Sequence, residues 1–191
     1  MRRALIGSRK LSEGNKQEQI KKYFNQCHSY ALAGDIMTSG LCPTGPDAIA
    51  QYAYAKAIDK GLASISQLEV YVSGQLLIDK SVLPYKEHSI IMPSTLCAER
   101  DYILKQVMTL NHFNACGEYA LGMHRRNVHQ VLSKDLKSPV DEVYTWCMID
   151  THGEPLGGTR TAIKIAQLYG IPVINDYDPN VTKNKLSSFT F

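Results

Sequence analysis

The chain has 191 residues, a length that suits one domain with a sizeable core. Apolar residues make up 44% and charged residues 20%, close to the values of an ordinary globular protein. A net charge of +3 is far from the dense lysine and arginine stripe of a dedicated duplex-DNA binder, whereas an anionic small molecule is compatible with it.

Cysteine and histidine spacing argues against a metal or disulfide framework. The five cysteines are odd in number and lack CxxC spacing. Of the six histidines only His124 and His129 are near each other in sequence, and no HExxH occurs. We therefore predict no metal and no cofactor. Without an apolar run of about 18 residues or a signal peptide, the chain is expected to be cytoplasmic, with no membrane partner.

The first 72 residues alternate between strand and helix patterns. The apolar spacing predicts a strand at 3–6, a helix at 17–32, a strand at 35–40, a helix at 47–60 and a strand at 68–72. Strands that alternate with helices indicate a parallel sheet with right-handed crossovers.

The middle of the chain is less regular, and the pattern sharpens again near its end. Residues 73–97 are expected to be irregular, 111–117 are ambiguous, and 178–191 form a polar surface tail. The remaining predicted elements are helices at 99–110 and 125–132, a strand at 142–149, a helix at 159–168 and a strand at 171–175. The fold class is thus predicted to be α/β: a single domain with a Rossmann-like open parallel sheet flanked by helices.

Three glycine-containing loops follow predicted strands, at the sheet edge where open parallel sheets bind ligands. Glycine allows a close approach of backbone amides, a helix N-terminus favours anions, and arginine pairs with anionic oxygens. Each loop alone could equally be a simple chain reversal, with Thr44 as a helix cap. The candidate ligand-binding residues are Gly7, Ser8, Arg9, Ser39, Gly40, Thr44, Gly45, Asp47, Gly157, Gly158, Thr159 and Arg160. Neither GxGxxG nor GxxxxGK[ST] is present, which disfavours a dehydrogenase or P-loop NTPase.

Further polar residues are candidates for contacts with a nucleotide. Arg125, Arg126 and Asn127, at a predicted helix start, could clamp a phosphate or ribose, or form a solvated helix face. Asp47 could contact a ribose or act as a catalytic carboxylate, or stabilise the first turn of its helix. Asp150 follows a strand and is the best alternative carboxylate.

Other polar and aromatic positions are interpreted structurally. Trp146 is expected in the core, and Glu99-Arg100-Asp101 as a surface helix start.

Two distant motifs resemble the nucleotide-binding SLOG superfamily, which includes the LOG phosphoribohydrolases and the DprA/Smf DNA-processing proteins. The first motif joins Ala4-Leu5-Ile6-Gly7-Ser8-Arg9 to Ser39-Gly40 and Thr44-Gly45-Pro46-Asp47, and the second joins Gly157-Gly158-Thr159 to Gly170-Ile171-Pro172-Val173. The similarity covers most of residues 3–60 and 125–176. It implies a nucleotide-type ligand, and it is compatible with a homo-oligomer and with a phage or mobile-element origin.

One departure from that superfamily bears on activity. Its LOG enzymes and the related deoxyribosyltransferases carry an acidic residue shortly after the glycine-threonine turn, for cleavage of the N-glycosidic bond. Here Arg160 and Lys164 make the same helix start basic. The favoured hypothesis is therefore a protein that binds a nucleotide without turnover, as a sensor or sequestering protein. The alternatives are a nucleoside 5'-monophosphate N-glycosidase that uses Asp47, Glu99 or Asp150, and, less favoured, a DprA-like nucleic-acid-processing protein.

Overall fold

Six parallel strands form one open sheet in the computed structural model, which describes residues 1–13 and 16–178. The order of the strands across the sheet is β4-β3-β2-β1-β5-β6. The strands are β1 (Arg2–Gly7), β2 (Ile36–Gly40), β3 (Leu68–Val72), β4 (Ile90–Ile91), β5 (Glu142–Trp146) and β6 (Val173–Asn175). The predicted fold class, an α/β protein with a Rossmann-like open parallel sheet, is confirmed.

Helices cover both faces of this sheet. They are α1 (Gln17–Leu32), α2 (Pro46–Asp59), α3 (Gln75–Lys80), α4 (Cys97–Val107), α5 (Leu110–Ala115), α6 (Glu118–Leu132) and α7 (Thr159–Leu168). Short 3-10 turns lie at Arg9–Ser12, Ile65–Gln67, Lys86–His88 and Ser94–Leu96. Among the described residues no helix is both long and apolar enough to cross a membrane.

Two apolar cores lie on opposite faces of the sheet. On β1, Leu5 faces α1 and α2, whereas Ala4 and Ile6 face α4, α6 and α7. This alternation follows from the two-residue period of a strand, and it makes a central parallel strand apolar on both faces. Trp146 is fully buried in the first core, as predicted, and its Nε1 donates to Gln19 Oε1 over 3.0 Å.

Helix α1 shows why the sequence pattern predicts its bounds so well. Tyr23, Cys27 and Ala31 recur every four residues and are fully buried against the sheet. The helix ends where Gly34 takes a left-handed conformation with φ of +79°, which glycine adopts at little steric cost.

The structure departs from the predictions mainly between 73 and 150. Residues 73–97 contain α3 and β4, and residues 99–110 divide between α4 and α5. Strand β5 ends at Trp146 because the chain turns back there: Leu156 N donates to Met148 O over 2.8 Å. Helix α6 begins seven residues before the predicted start at 125, so Arg125, Arg126 and Asn127 lie in the body of the helix and not at its start.

Arg100 corrects the interpretation of residues 99–101 as a surface helix start. It is only 4% exposed, its Nη1 donates to Pro93 O over 2.8 Å, and the same atom lies 3.0 Å from His129 Nε2. Asp101 is bound to Arg125 from α6. This stretch therefore joins α4 to α6.

Candidate functional site

The strand order reverses its direction between β1 and β5. The chain moves from β1 to β2 on one side of the sheet, and β5 later pairs with the other side of β1. The loops that follow such a pair leave towards opposite faces, and the crevice between them is the usual ligand site of open α/β sheets. The loops after β1 and β5, together with the neighbouring loop after β2, contain most of the candidate residues.

The loop after β1 is tightly joined to β5. Ser8 N donates to the carbonyl oxygen of Trp146 over 2.9 Å, and Ser8 Oγ accepts from Lys10 N over 3.3 Å, which caps the 3-10 turn. Arg9 is exposed. The Ser8 hydroxyl is therefore partly used within the loop, whereas Arg9 is accessible to an anion.

The loop after β2 packs directly against the loop after β1. Gly45 has φ of +79°, and a Cβ on it would lie 2.9 Å from Arg9 Cα. Its N–H donates to Ser12 Oγ over 2.8 Å. Gly45, rather than the exposed Thr44, is the N-cap residue of α2, and it provides no side-chain cap. Pro46, the first residue of α2, has no N–H, and the Asp47 carboxyl lies in the first turn, so the positive end of this helix is already partly compensated within the protein.

Asp47 lies beneath these loops and links the ends of β1 and β2. Its Oδ1 accepts from Gly40 N over 3.1 Å and from Gln130 Nε2 over 3.3 Å. Burial raises the pKa of the Asp47 carboxyl, although the charge of Arg126 and the N–H groups of Gly40 and Gly7 oppose the rise. With only 3% of the residue exposed, the carboxylate is better placed to position the loops than to touch a ligand.

Ser39 is likewise part of the scaffold at this edge. It is fully buried, and its Oγ donates to the carbonyl oxygen of Leu5 over 2.8 Å, which ties β2 to β1.

Arg126 crosses from α6 to the end of β2. A Cβ on Gly40 would lie 2.5 Å from Arg126 Cζ and 2.6 Å from its Nε, so a side chain there would displace this guanidinium. The Nε atom is buried and has no hydrogen-bond partner among the described residues. A buried donor without an acceptor is unfavourable by about 1–3 kcal/mol and requires an explanation.

Its neighbours on α6 are already engaged. Arg125 Nε and Nη2 each donate to the carboxylate of Asp101 at 2.7 Å, a paired geometry that lowers the pKa of Asp101. Asn127 Nδ2 donates to Gly158 O over 3.0 Å and so supports the loop before α7. Of the cluster predicted from the sequence, Arg126 is the residue whose side chain is not fully satisfied.

The loop before α7 presents the second helix start at this edge. Gly158 is its N-cap residue and provides no side-chain cap, and a Cβ on Gly157 or Gly158 would meet no atom of residues 1–13 and 16–178 within 4 Å. Thr159 is buried, and Arg160 is exposed with its Nη2 3.5 Å from Glu154 Oε2. The loop is therefore open to a ligand.

The remaining carboxylates are placed differently. Asp150 Oδ1 accepts from His152 N over 2.8 Å and from Glu154 N over 2.9 Å, which holds the loop after β5. Glu99 is an exposed residue of α4. Neither is grouped with Asp47 by the contacts of the described residues.

Two grooves lie away from this edge. One, of about 650 Å³, is lined by Arg2 and Glu69 near the opposite ends of the strands and by the loop after α6. The other, of about 550 Å³, lies between α1 and α2 beside Tyr52. We prefer the crevice as the ligand site because it joins a strand reversal, two uncapped helix starts and Arg126, whereas the grooves have no such convergence.

Sequence reasoning missed a group of possible metal ligands. His112 and Cys116, from the region of α5, come together with His124 of α6, and their ligand atoms all lie within 4.8 Å of one another. The spacing of the histidines along the chain therefore did not reveal that His112 and His124 lie together. The available signal was the four-residue spacing of His112 and Cys116, which spans one helical turn.

Comparison of the chain with protein-family models, with curated proteins and with solved structures found no match.

Asp47 gives the site a measurable pH dependence. Its folded carboxyl binds a proton more tightly than the unfolded one, so the contribution of Asp47 to stability is complete below the usual pKa of 3.8 and is lost as the pH rises through the raised folded pKa. Asp47→Asn should lack this decrease, about 1.4 kcal/mol for each unit by which the pKa is raised. Urea unfolding of both proteins from about pH 4 to about pH 7 measures the difference. Parallel stability curves would contradict the assignment.

Proposed function

We propose that this protein binds a nucleotide-type ligand, phosphate group first, in the crevice between the loops after β1, β2 and β5, and does not cleave it. The observation that carries the proposal is the Arg126 guanidinium, held against Gly40 with a buried Nε that has no hydrogen-bond partner in the described part of the chain. A guanidinium is a planar donor that suits a phosphate, and an anion nearby would offset the unfavourable burial of its charge.

Backbone groups at the same edge support an anionic ligand. The N-cap residues of α2 and α7 provide no side-chain cap, and α7 has no acidic residue in its first turn, so the positive end of the α7 dipole lies at this edge without a compensating carboxylate. Arg9 and Arg160 are exposed beside them. The similarity of both loops to the SLOG motifs favours a nucleotide over another phosphate compound.

The N-glycosidase alternative depends on Asp47, a buried carboxyl with a raised pKa next to a cation, which is the kind of group found at catalytic sites. Its hydrogen bonds to Gly40 and Gln130 and its burial favour a positioning role. The basic start of α7 also lacks the acid that the LOG enzymes use. We therefore rank binding without turnover above cleavage.

The test combines affinity with product analysis. Wild-type protein is titrated by calorimetry with nucleoside monophosphates, the matching nucleosides and inorganic phosphate, and the mixtures are then chromatographed for free base. We expect the monophosphates to bind at least about tenfold more tightly than their nucleosides, because a charge-assisted contact contributes about 1.5–3 kcal/mol. No base should be released.

Two results would reject the proposal. Absence of binding by every nucleotide in the panel would remove the crevice as a nucleotide site. Base release that disappears in Asp47→Asn or Asp150→Asn would instead establish the glycosidase, since loss of a catalytic carboxylate should slow turnover by about a hundredfold or more.

A further inference from the structure

The short linker between helices α5 and α6 brings three metal-ligand side chains together. Only Cys116 and Gly117 separate the two helices, so the chain reverses within two residues. His112 on α5 and His124 on α6 then face each other, with ring centroids 5.8 Å apart and ring planes at 84°. Cys116 lies at the joint, and one ligand atom from each residue falls within 4.8 Å of the others.

The chemistry of this set is that of a zinc site. Two imidazoles and a thiolate suit Zn²⁺ and similar borderline-soft cations, and they are not the oxygen ligands that Mg²⁺ or Ca²⁺ prefers. Ligand atoms around tetrahedral zinc lie about 3.5 Å apart, given bonds of about 2.0–2.3 Å. The present separations between ligand atoms, all within 4.8 Å, exceed this spacing by at most about 1.3 Å, and the exposed His112 side chain can close such a gap by a rotation.

The anchoring of both helices holds the ligands in place. Thr109 Oγ1 accepts from His112 N over 3.2 Å at the start of α5, and Phe113 packs against the core shared by α4, α6 and α7. His124 is partly buried on α6. Most of the site is therefore formed by the fold before any ion binds.

One histidine also has a defined outer partner. His124 Nδ1 lies 2.9 Å from Oγ1 of Thr161, a 5% exposed residue in the first turn of α7. If Nδ1–H donates to that hydroxyl, Nε2 is the nitrogen left for a metal. Most metal-binding histidines have such a partner, which sets the tautomer and the orientation of the ring.

We propose that His112, Cys116 and His124 bind one zinc-class divalent cation, with a fourth position left for water or an anionic oxygen. The site is distinct from the Arg126 contact and does not depend on nucleotide binding. Thr161 follows the Gly157-Gly158-Thr159 turn by two residues, so the ion would stand beside the loop that opens onto the crevice.

The experiment uses the full chain, freed of metal by a chelator and then titrated with Co²⁺ and Zn²⁺. We expect one equivalent to bind, with the visible absorption of tetrahedral Co²⁺ and a near-ultraviolet thiolate charge-transfer band. Cys116→Ser should abolish that band, and both Cys116→Ser and His112→Asn should weaken Zn²⁺ binding by at least about tenfold. Thr161→Val should weaken it by about tenfold, the usual effect of losing an outer partner.

Matched controls keep the result specific. Cys97→Ser removes another partly buried thiol and His88→Ala another exposed imidazole, and both should bind Zn²⁺ like the wild type. Because His112 is exposed and Cys116 is not fully buried, the ligand variants should keep the wild-type circular dichroism spectrum. The proposal is overturned if the wild type takes up no Zn²⁺, or if Cys116→Ser and His112→Asn both bind it as tightly as the wild type.

Discussion

Replacing Gly7 by alanine is expected to lower the free energy of unfolding by about 2–3 kcal/mol, the usual effect of forcing extra volume into a packed region. Gly7 ends β1, where a Cβ would lie 2.5 Å from the carbonyl oxygen of Trp146 and 2.5 Å from Pro46 Cγ. The carbonyl belongs to the backbone of β5 and Pro46 starts α2, so neither can move without separating elements that form the crevice. Urea unfolding at neutral pH measures the loss.

Gly158→Ala is the matched control for that substitution. A Cβ there meets no atom of the described residues within 4 Å, and φ of −64° suits any residue. Its stability should stay within about 0.5 kcal/mol of the wild type. Equal stability of Gly7→Ala and Gly158→Ala would show that β1 and α2 are not packed together as described.

Replacing Arg126 by alanine is expected to weaken nucleotide binding by about 30-fold, or about 2 kcal/mol, the contribution of a charge-assisted hydrogen bond. Arg126→Lys keeps the charge but loses the planar fork, so its affinity should fall between those of the other two proteins. Calorimetric titration with a nucleoside monophosphate measures all three affinities.

Arg125→Ala separates loss of a ligand contact from loss of positive charge on α6. Because Arg125 is paired with Asp101, its removal should reduce stability while affinity changes less than threefold, or about 0.6 kcal/mol. Wild-type affinity in Arg126→Ala would place the phosphate elsewhere at the edge, and a similar loss in both variants would indicate a diffuse electrostatic effect.

The bounds of several helices and strands can be predicted from the local sequence pattern. The predicted bounds of α1, β3 and α7 coincide with those observed, because each presents an apolar stripe with the period of its own secondary structure and ends at a glycine or polar turn. The region from 73 to 117 lacks such a stripe. Its helices of six residues are too short to form alone and are stabilised by packing.

For the site, the order of elements along the chain alone determined that glycine-containing loops follow strands. The parallel topology then places those loops at one edge of the sheet. The roles of individual side chains were decided by contacts between residues far apart in sequence. Arg125 pairs with Asp101 while Arg126 reaches Gly40, although the two are adjacent on the same helix. Successive helical residues point about 100° apart, so each meets different neighbours.

Contacts between residues far apart in sequence also explain what the local sequence could not show about Asp47 and the histidines. The sequence indicates that Asp47 is a carboxylate at the start of a helix. Only the packing of α6 against β2 encloses it beside Gln130 and Arg126. His112 and His124 are separated by twelve positions in sequence, and the reversal at Cys116 brings them together. The sequence determines residue types and local periods, whereas burial and proximity arise only when distant elements pack.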